Sequence, residues 1–268
     1  MSSGPLRVGV IGTGSLGYHH ARLLRDVRGA SFRGFFESNA DRAGTVSREL
    51  GIRAFPTLDA LLADVDVVSI AVPTSYHHQV AKAALEAGKH VLIEKPITTT
   101  IEEADELLAI AQRTGALVQI GHIERFNRAI RANARITFAT GAVATITASR
   151  VSKDRMRKLR IFQRNGYLSL DLAAGTGEMY RLRDDVDLPA LVKTAQPIEA
   201  FVERVPIDAP EGEPLRLELE SFVAACRGEI PVAVSGQDGR DALAVALRIV
   251  DDIRRTHPTA AVAGASGA

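Results

Sequence analysis

The chain has 268 residues, 46% of them hydrophobic and 24% charged, with a net charge of +1. That length suits one large or two modest globular domains, and the charge supplies no global basic field of the kind that binds nucleic acid. A single cysteine, Cys226, excludes an intrachain disulfide framework, no apolar run approaches the ~20 residues of a membrane span, and Met1-Ser2-Ser3-Gly4-Pro5 lacks a signal peptide's apolar core, so a soluble protein of the reducing cytoplasm is expected.

The first predicted strand, Leu6–Ile11, runs into Gly12-Thr13-Gly14-Ser15-Leu16-Gly17, and a helix is predicted over Tyr18–Asp26. G-x-G-x-x-G between a strand and a helix is a dinucleotide-binding pattern. Gly12 permits the sharp turn, Gly14 the close approach of a pyrophosphate, and Gly17 the tight packing of helix on strand. The unpaired N–H groups at the helix start, aided by the helix dipole, then face the phosphates. A second strand, Ser31–Phe36, ends at Glu37, 20 positions after Gly17, the spacing at which an acid takes the ribose hydroxyls. The same carboxylate repels a 2′-phosphate. Arg42, five residues on, offsets this in part, and the balance favours NAD over NADP.

A helix over Ala40–Leu50 follows, capped by Asn39, then a short helix over Leu58–Ala63. Asp66–Val72 is nearly all apolar, as expected of a parallel strand covered on both faces. Pro73-Thr74-Ser75-Tyr76-His77 lies at its carboxyl end and leads into a helix over Tyr76–Ala87, which Gly88 ends. His77 reads equally well as a cover for the dinucleotide and as a structural histidine. Strand His90–Ile93 reaches Glu94-Lys95-Pro96. A lysine held there beside a nicotinamide can orient or deprotonate a substrate hydroxyl, and a cis bond to Pro96 would aim it. Taken alone, a solvated turn lysine is the simpler reading. Thr100 and Glu103 form a capping box for a helix over Ile101–Thr114, Gly115 closes it, and strand Leu117–Gly121 follows. This alternation is an α/β, Rossmann-type, doubly wound parallel sheet with right-handed crossovers.

Beyond a helix over Glu124–Ala132 the pattern becomes an antiparallel meander. Its strands are Arg135–Phe138, Val143–Arg150, Leu159–Phe162, Tyr167–Leu172 and Glu178–Leu182, with a hairpin signal at Asn165-Gly166. A proline-rich stretch over 184–214 holds at most one edge strand, Ala200–Val205. Helices over Pro214–Arg227 and Asp238–Arg255 close the chain. In the first of these, Leu215, Leu219, Phe222 and Cys226 share an apolar face, which makes Cys226 a core thiol and not a nucleophile. The division expected is residues 1–122 for the dinucleotide and 123–268 for a second, α+β domain with a largely antiparallel sheet. No residue pattern suggests a metal site.

The ordered set Gly12-Thr13-Gly14-Ser15-Leu16-Gly17, Pro73-Thr74-Ser75-Tyr76-His77 and Glu94-Lys95-Pro96, followed by a meander, resembles the glucose–fructose oxidoreductase / inositol dehydrogenase (Gfo/Idh/MocA) family over essentially the whole chain. Gly121-His122-Ile123-Glu124-Arg125-Phe126-Asn127 is similar to the subgroup acting on nucleotide sugars, with UDP-N-acetylglucosamine 3-dehydrogenase-like members nearest. The resemblance implies hydride transfer between nicotinamide and a hydroxyl carbon of a sugar or nucleotide sugar. It assigns Lys95 to the catalytic set, and Gly12 to Gly17, Glu37, Arg42, Pro73, Thr74, His77, Glu94 and Lys95 to the cofactor. Arg125 and Asn127 would border the sugar. It also implies a homo-oligomer formed through the meander sheets, with neither nucleic acid nor membrane as partner.

One departure is large. The family carries a motif like D-x-x-x-H-D-x-D on the first helix of the second domain, whose histidine accepts the proton from the reacting hydroxyl. Here the predicted helix over Glu124–Ala132 runs almost straight into the next strand, and after His122 the only histidine is His257. The second domain is therefore shortened by an internal deletion. His122 is the nearest substitute base, with a structural role the simpler reading. Three origins stay open: a dinucleotide-binding protein without turnover that senses redox state or pairs with a partner, an enzyme with a rebuilt catalytic set, or an internally deleted gene. Arg150, Lys153, Arg155, Arg157, Lys158, Arg160 and Arg164 form a basic stretch that reads first as a solvated surface and second as a landing site for an anionic sugar nucleotide.

Overall fold

The computed structural model describes residues 4–121, 132–148, 157–163, 166–172, 174–183, 201–208 and 213–256. It packs as two compact units, Met1–Asn127 with Gly212–Ala268, and Arg128–Glu211.

The first unit is built on five parallel strands, β1 (Leu6–Ile11), β2 (Ala30–Phe36), β3 (Val67–Ile70), β4 (His90–Glu94) and β5 (Val118–Gly121), in the order β2-β1-β3-β4-β5. Strands β3, β4 and β5 are almost wholly buried because helices cover both faces. Helices α1 (Ser15–Leu24), α2 (Ala40–Leu50), α3 (Leu58–Asp64), α4 (His77–Glu86) and α5 (Ile101–Thr114) are the crossovers, with a 3-10 turn over Thr74–Tyr76 ahead of α4. Their ends follow the sequence. Asn39 accepts from the Arg42 N–H at 2.9 Å, Thr100 and Glu103 cap each other, and Gly115 takes a positive φ beyond α5.

The last two helices, α6 (Pro214–Cys226) and α7 (Gly236–Thr256), complete this unit. By packing they go with residues 1–127, whereas the expected division at residue 122 grouped them with the meander. The reason is burial. Leu215, Leu219, Phe222 and Val223 of α6 join Val8, Val10, Ala21, Leu23 and Leu24 in one core layer. Leu243 of α7 joins Leu107, Val118 and Ile120 in the other. The segment leading into α7 also covers the open edge of β5, with the Ile120 N–H donating to the Val234 carbonyl at 3.0 Å. Cys226 packs against the first layer, and burial pushes its thiol up to about 12, as suits a core residue.

The second unit holds a hairpin, β6 (Ala132–Thr137) with β7 (Val143–Ala148). It also holds a four-stranded antiparallel sheet, β8 (Lys158–Gln163), β9 (Gly166–Asp171), β10 (Thr176–Leu182) and β11 (Val202–Asp208), in the order β11-β10-β9-β8. Gly166 opens β9 directly opposite Gln163, and the two linking residues lie outside the described set. The edge strand expected at Ala200–Val205 is β11, shifted toward the carboxyl end. Pro206 is tolerated in it because, among the described residues, β11 has only one neighbour. Of the helix predicted over Glu124–Ala132, all but Ala132 lies outside the described residues, and Ala132 belongs to β6.

Candidate functional site

In a sheet ordered 2-1-3-4-5 the chain leaves β1 toward β2 on one side and resumes at β3 on the other. Ligands bind at the carboxyl ends beside that switch point. Every described cofactor residue read from the sequence falls at or just beyond those ends. Gly12 to Gly17 follow β1, Glu37 and Arg42 follow β2, Pro73, Thr74 and His77 follow β3, and Glu94 and Lys95 end β4.

The glycine turn has the geometry a pyrophosphate needs. Gly12 takes φ +82°. A Cβ on Gly17 would lie 2.0 Å from the Gly12 carbonyl oxygen, so only glycine lets α1 start this close to β1. A Cβ on Gly14 would meet no atom within 4 Å. That open side lies at the start of α1, where the N-cap Gly14 offers no side chain to the first N–H groups.

Glu37 is latched onto this turn. Its Oε2 accepts from the Thr13 N–H at 2.8 Å and the Thr13 hydroxyl at 3.2 Å, and its Oε1 accepts from the Asn39 N–H at 3.1 Å. Partial burial is the largest single influence and pushes the Glu37 carboxyl up. The donors at Thr13, Asn39 and Ser38 together outweigh it and hold the group below the ordinary carboxylate range. Arg42 donates from Nε to the Thr13 carbonyl at 2.9 Å, and its guanidinium lies 5.6 Å from the Tyr18 ring centre. A charged, fixed acceptor beside the turn and the uncapped N–H groups at the start of α1 are chemically compatible with a nucleotide coenzyme.

At the end of β4 the Lys95–Pro96 bond is cis, and Lys95 is half-buried. Glu94 is buried, with its carboxylate 3.2 Å from His20 Nε2 of α1, at an angle that leaves both atoms short of a proper hydrogen bond. His20 Nδ1 lies 2.7 Å from the Ser69 hydroxyl of β3. Gly121, at the end of β5, makes room for Glu94, since a Cβ there would approach its Oε1 to 2.7 Å. His77 is also buried, its Nδ1 2.8 Å from the Pro96 carbonyl and its Nε2 2.9 Å from the Val72 carbonyl. Its ring nitrogens thus face the protein's own loops. His20, Ser69 and Gly121 were not singled out from the sequence. The available signals were a polar residue inside the apolar run Asp66–Val72 and a histidine on the buried face of α1.

Arg125, Asn127 and His122 lie outside the described residues, as do Arg150, Lys153, Arg155 and Arg164 of the basic stretch. Arg157, Lys158 and Arg160 are at the start of β8, with Lys158 3.8 Å from Asp171. Among the described residues no group of side chains is arranged to hold a metal ion, and no helix is long and apolar enough to cross a membrane.

Residues 6–122 match the oxidoreductase family Gfo/Idh/MocA, NAD-binding Rossmann fold. The chain is 32% identical to the UDP-N-acetylglucosamine 3-dehydrogenase of Acidithiobacillus ferrooxidans over 311 aligned residues, covering 91% of this chain and 96% of the relative. An alignment longer than this 268-residue chain bridges positions that the chain lacks. The solved structure of that enzyme superimposes with a TM-score of 0.79 at 31% identity, again over 91% and 96% of the two chains. The scyllo-inositol 2-dehydrogenase (NAD(+)) of Bacillus subtilis is 37% identical over 128 residues, 46% of this chain and 37% of the relative. The parallel sheet with its fingerprint turn, the separate antiparallel sheet and a likeness that spans nearly both chains agree, and this chain belongs to the Gfo/Idh/MocA oxidoreductase family.

Proposed function

We propose that the protein is an NAD-dependent dehydrogenase that moves a hydride between nicotinamide and a hydroxyl carbon of a sugar or nucleotide sugar. The observation that carries this reading is the convergence of the glycine turn, Glu37, Pro73, Thr74, Glu94 and Lys95 along one edge of the sheet, beside its switch point. NAD, when bound, supplies the hydride acceptor. The chain's own residues do the rest. Backbone N–H groups of the glycine turn bind the diphosphate. Glu37 accepts from the ribose hydroxyls and disfavours a 2′-phosphate, which sets NAD over NADP. Lys95, at the carboxyl end of β4, orients the reacting hydroxyl and takes its proton at Nζ. By the family resemblance, Arg125 and Asn127 are the residues assigned to the sugar. The near-full-length likeness to a UDP-N-acetylglucosamine 3-dehydrogenase supports a nucleotide sugar ahead of a free polyol.

The working form is a homo-oligomer. The register of the four-stranded sheet lines up Leu159, Leu170 and Ile207, and beside them Ile161, Leu168, Met179 and Val205, on one face. Leu159 and Ile161 are 45% and 43% exposed, and a second such face would cover them.

The test is direct. NADH fluorescence reports binding, and NADH absorbance reports turnover with UDP-N-acetylglucosamine, other UDP-sugars and inositols. Binding together with turnover that Lys95→Ala abolishes is the expected result. Absence of NADH binding overturns the proposal. Tight binding with no turnover on any of these substrates establishes the non-catalytic alternative, consistent with the absent family histidine.

A further inference from the structure

Lys95 is flanked by two residues, each beside a histidine from a different helix. Before it, the Glu94 carboxylate lies 3.2 Å from His20 of α1. After it, the Pro96 carbonyl lies 2.8 Å from Nδ1 of His77, the first residue of α4. His77 does more than touch the turn. Its second nitrogen is 2.9 Å from the Val72 carbonyl, so one ring spans the loop after β3 and the loop after β4. Both partners are backbone carbonyls, which only accept. A neutral ring donates to one of them and an imidazolium to both. The ring is 1% exposed, so the bridge is made inside the protein and water does not compete for it.

The chemistry assigned to Lys95 requires its amine to stand within hydrogen-bond reach of one substrate hydroxyl, and a displacement of about 1 Å costs rate steeply. The reach of the Lys95 amine starts from the backbone that carries it, so a shift of that backbone shifts the whole range the amine can cover. That backbone adjoins Pro96, whose carbonyl lies 2.8 Å from His77 Nδ1. We propose that His77 is a positioning residue that aims Lys95 by tying the β4 turn to the β3 loop. This rests on the reading of Lys95 given above.

The experiment measures turnover and NADH affinity for the wild type, His77→Ala, His77→Gln, Lys95→Arg and the His77→Ala/Lys95→Arg pair, with circular dichroism as the check of folding. His77→Ala is expected to lower kcat at least tenfold while the NADH Kd stays within twofold. His77→Gln, with one amide donor group, recovers part of the loss. Lys95→Arg and the pair are expected to show no turnover, since a guanidinium cannot take the proton. Unchanged kcat in His77→Ala, a Kd that rises as far as kcat falls, or turnover retained in Lys95→Arg overturns the proposal. If His77→Ala does not fold, His77→Gln, which keeps at most one of the two contacts, carries the same readouts with a smaller expected loss.

An inactive wild type would be a failure of the proposed function, and the placement of Lys95 is then read without turnover. Reductive methylation with a carbon-13 label gives a Lys95 resonance, assigned by its loss in Lys95→Arg. That resonance moves or broadens in folded His77→Ala, while His78→Ala, one position along the same helix, leaves it in place. A Lys95 resonance indifferent to His77 overturns the proposal.

Discussion

The Thr13 N–H donates to Glu37 Oε2 at 2.8 Å, joining the loop after β1 to the residue after β2. The contact does two things. It fixes the carboxylate against the glycine turn, and with the donors at Asn39 and Ser38 it keeps the acid charged against partial burial.

Glu37→Ser removes the charge and the latch together. Hydrogen bonds to a charged group contribute about 1.5–3 kcal/mol each, so NADH affinity is expected to fall by about tenfold or more. NADPH affinity falls less or rises, because the repulsion of the 2′-phosphate is gone. Parallel fluorescence titrations with NADH and NADPH measure the ratio. A ratio equal to that of the wild type removes Glu37 from cofactor selection.

Gly14 and Gly17 separate a binding glycine from a packing glycine. At Gly14, with an ordinary negative φ and open space around a Cβ, alanine leaves the melting temperature nearly unchanged. It obstructs the diphosphate, so NADH affinity drops. At Gly17 a Cβ would press on the Gly12 carbonyl at 2.0 Å. Backbone cannot swing aside as a side-chain tip can, and overpacking of this kind costs about 1–3 kcal/mol or more. Gly17→Ala therefore lowers the melting temperature whether or not cofactor is present. Thermal unfolding of the two apo variants decides the matter, and equal melting temperatures would contradict the assignment.

Much of the first unit was legible because its punctuation is local. Thr100, Glu103 and Gly115 state where one helix starts and stops, and Gly12 to Gly17 mark the turn by which β1 passes into α1. Local signals do not say which distant face an amphipathic helix will meet. The stripe of Leu215, Leu219 and Phe222 announces burial, but only the folded chain shows that its partners are on α1 and β1. The same limit hid His20. Its partners Ser69 and Glu94 come from two other strands and meet it only once β3 and β4 lie side by side under α1.

Several carboxylates link folding to acid. Asp66 is held below the ordinary range chiefly by the hydrogen bond from the Arg7 side chain, Asp105 by that from Arg240, and Glu106 by those from Lys82 and His78. A folded value below the unfolded one contributes stability that is full above the unfolded value and is lost as pH falls through the folded one. Stability is thus expected to be flat above about pH 5 and to decline below about pH 4. Asp66→Asn should lower stability at pH 7 and make the acid decline shallower, with the two proteins converging at the acid end. Urea denaturation at a series of pH values tests this, and a constant gap down to pH 2 would rule out the linkage.

The four-stranded sheet offers the last test. Its register places Ile161, Leu168, Met179 and Val205 in one row across all four strands, next to Leu159, Leu170 and Ile207. Gly177, in that second row, lets Leu170 and Ile207 close over it, since a Cβ there would meet Leu170 at 2.5 Å. The opposite face carries Lys158, Asp171, Arg160 and Glu178, together with Phe162, Tyr167 and Tyr180, whose rings stack at 4.7 and 6.1 Å. These two rows form an apolar patch, bounded on the same face by the Arg181–Glu203 ion pair, and such a patch tends to be buried. If that is achieved by a second copy, a charge in this row is intolerable in the oligomer and tolerated in the monomer. Ile161→Asp should shift the mass measured by light scattering to that of one chain, while NADH affinity, which depends on the other unit, stays within about twofold (~0.4 kcal/mol) of the wild type. Phe162→Asp, on the opposite face, is the matched control and should leave the mass unaltered. A variant carrying Ile161→Asp that keeps the wild-type mass would show that this face is covered by something other than a second copy.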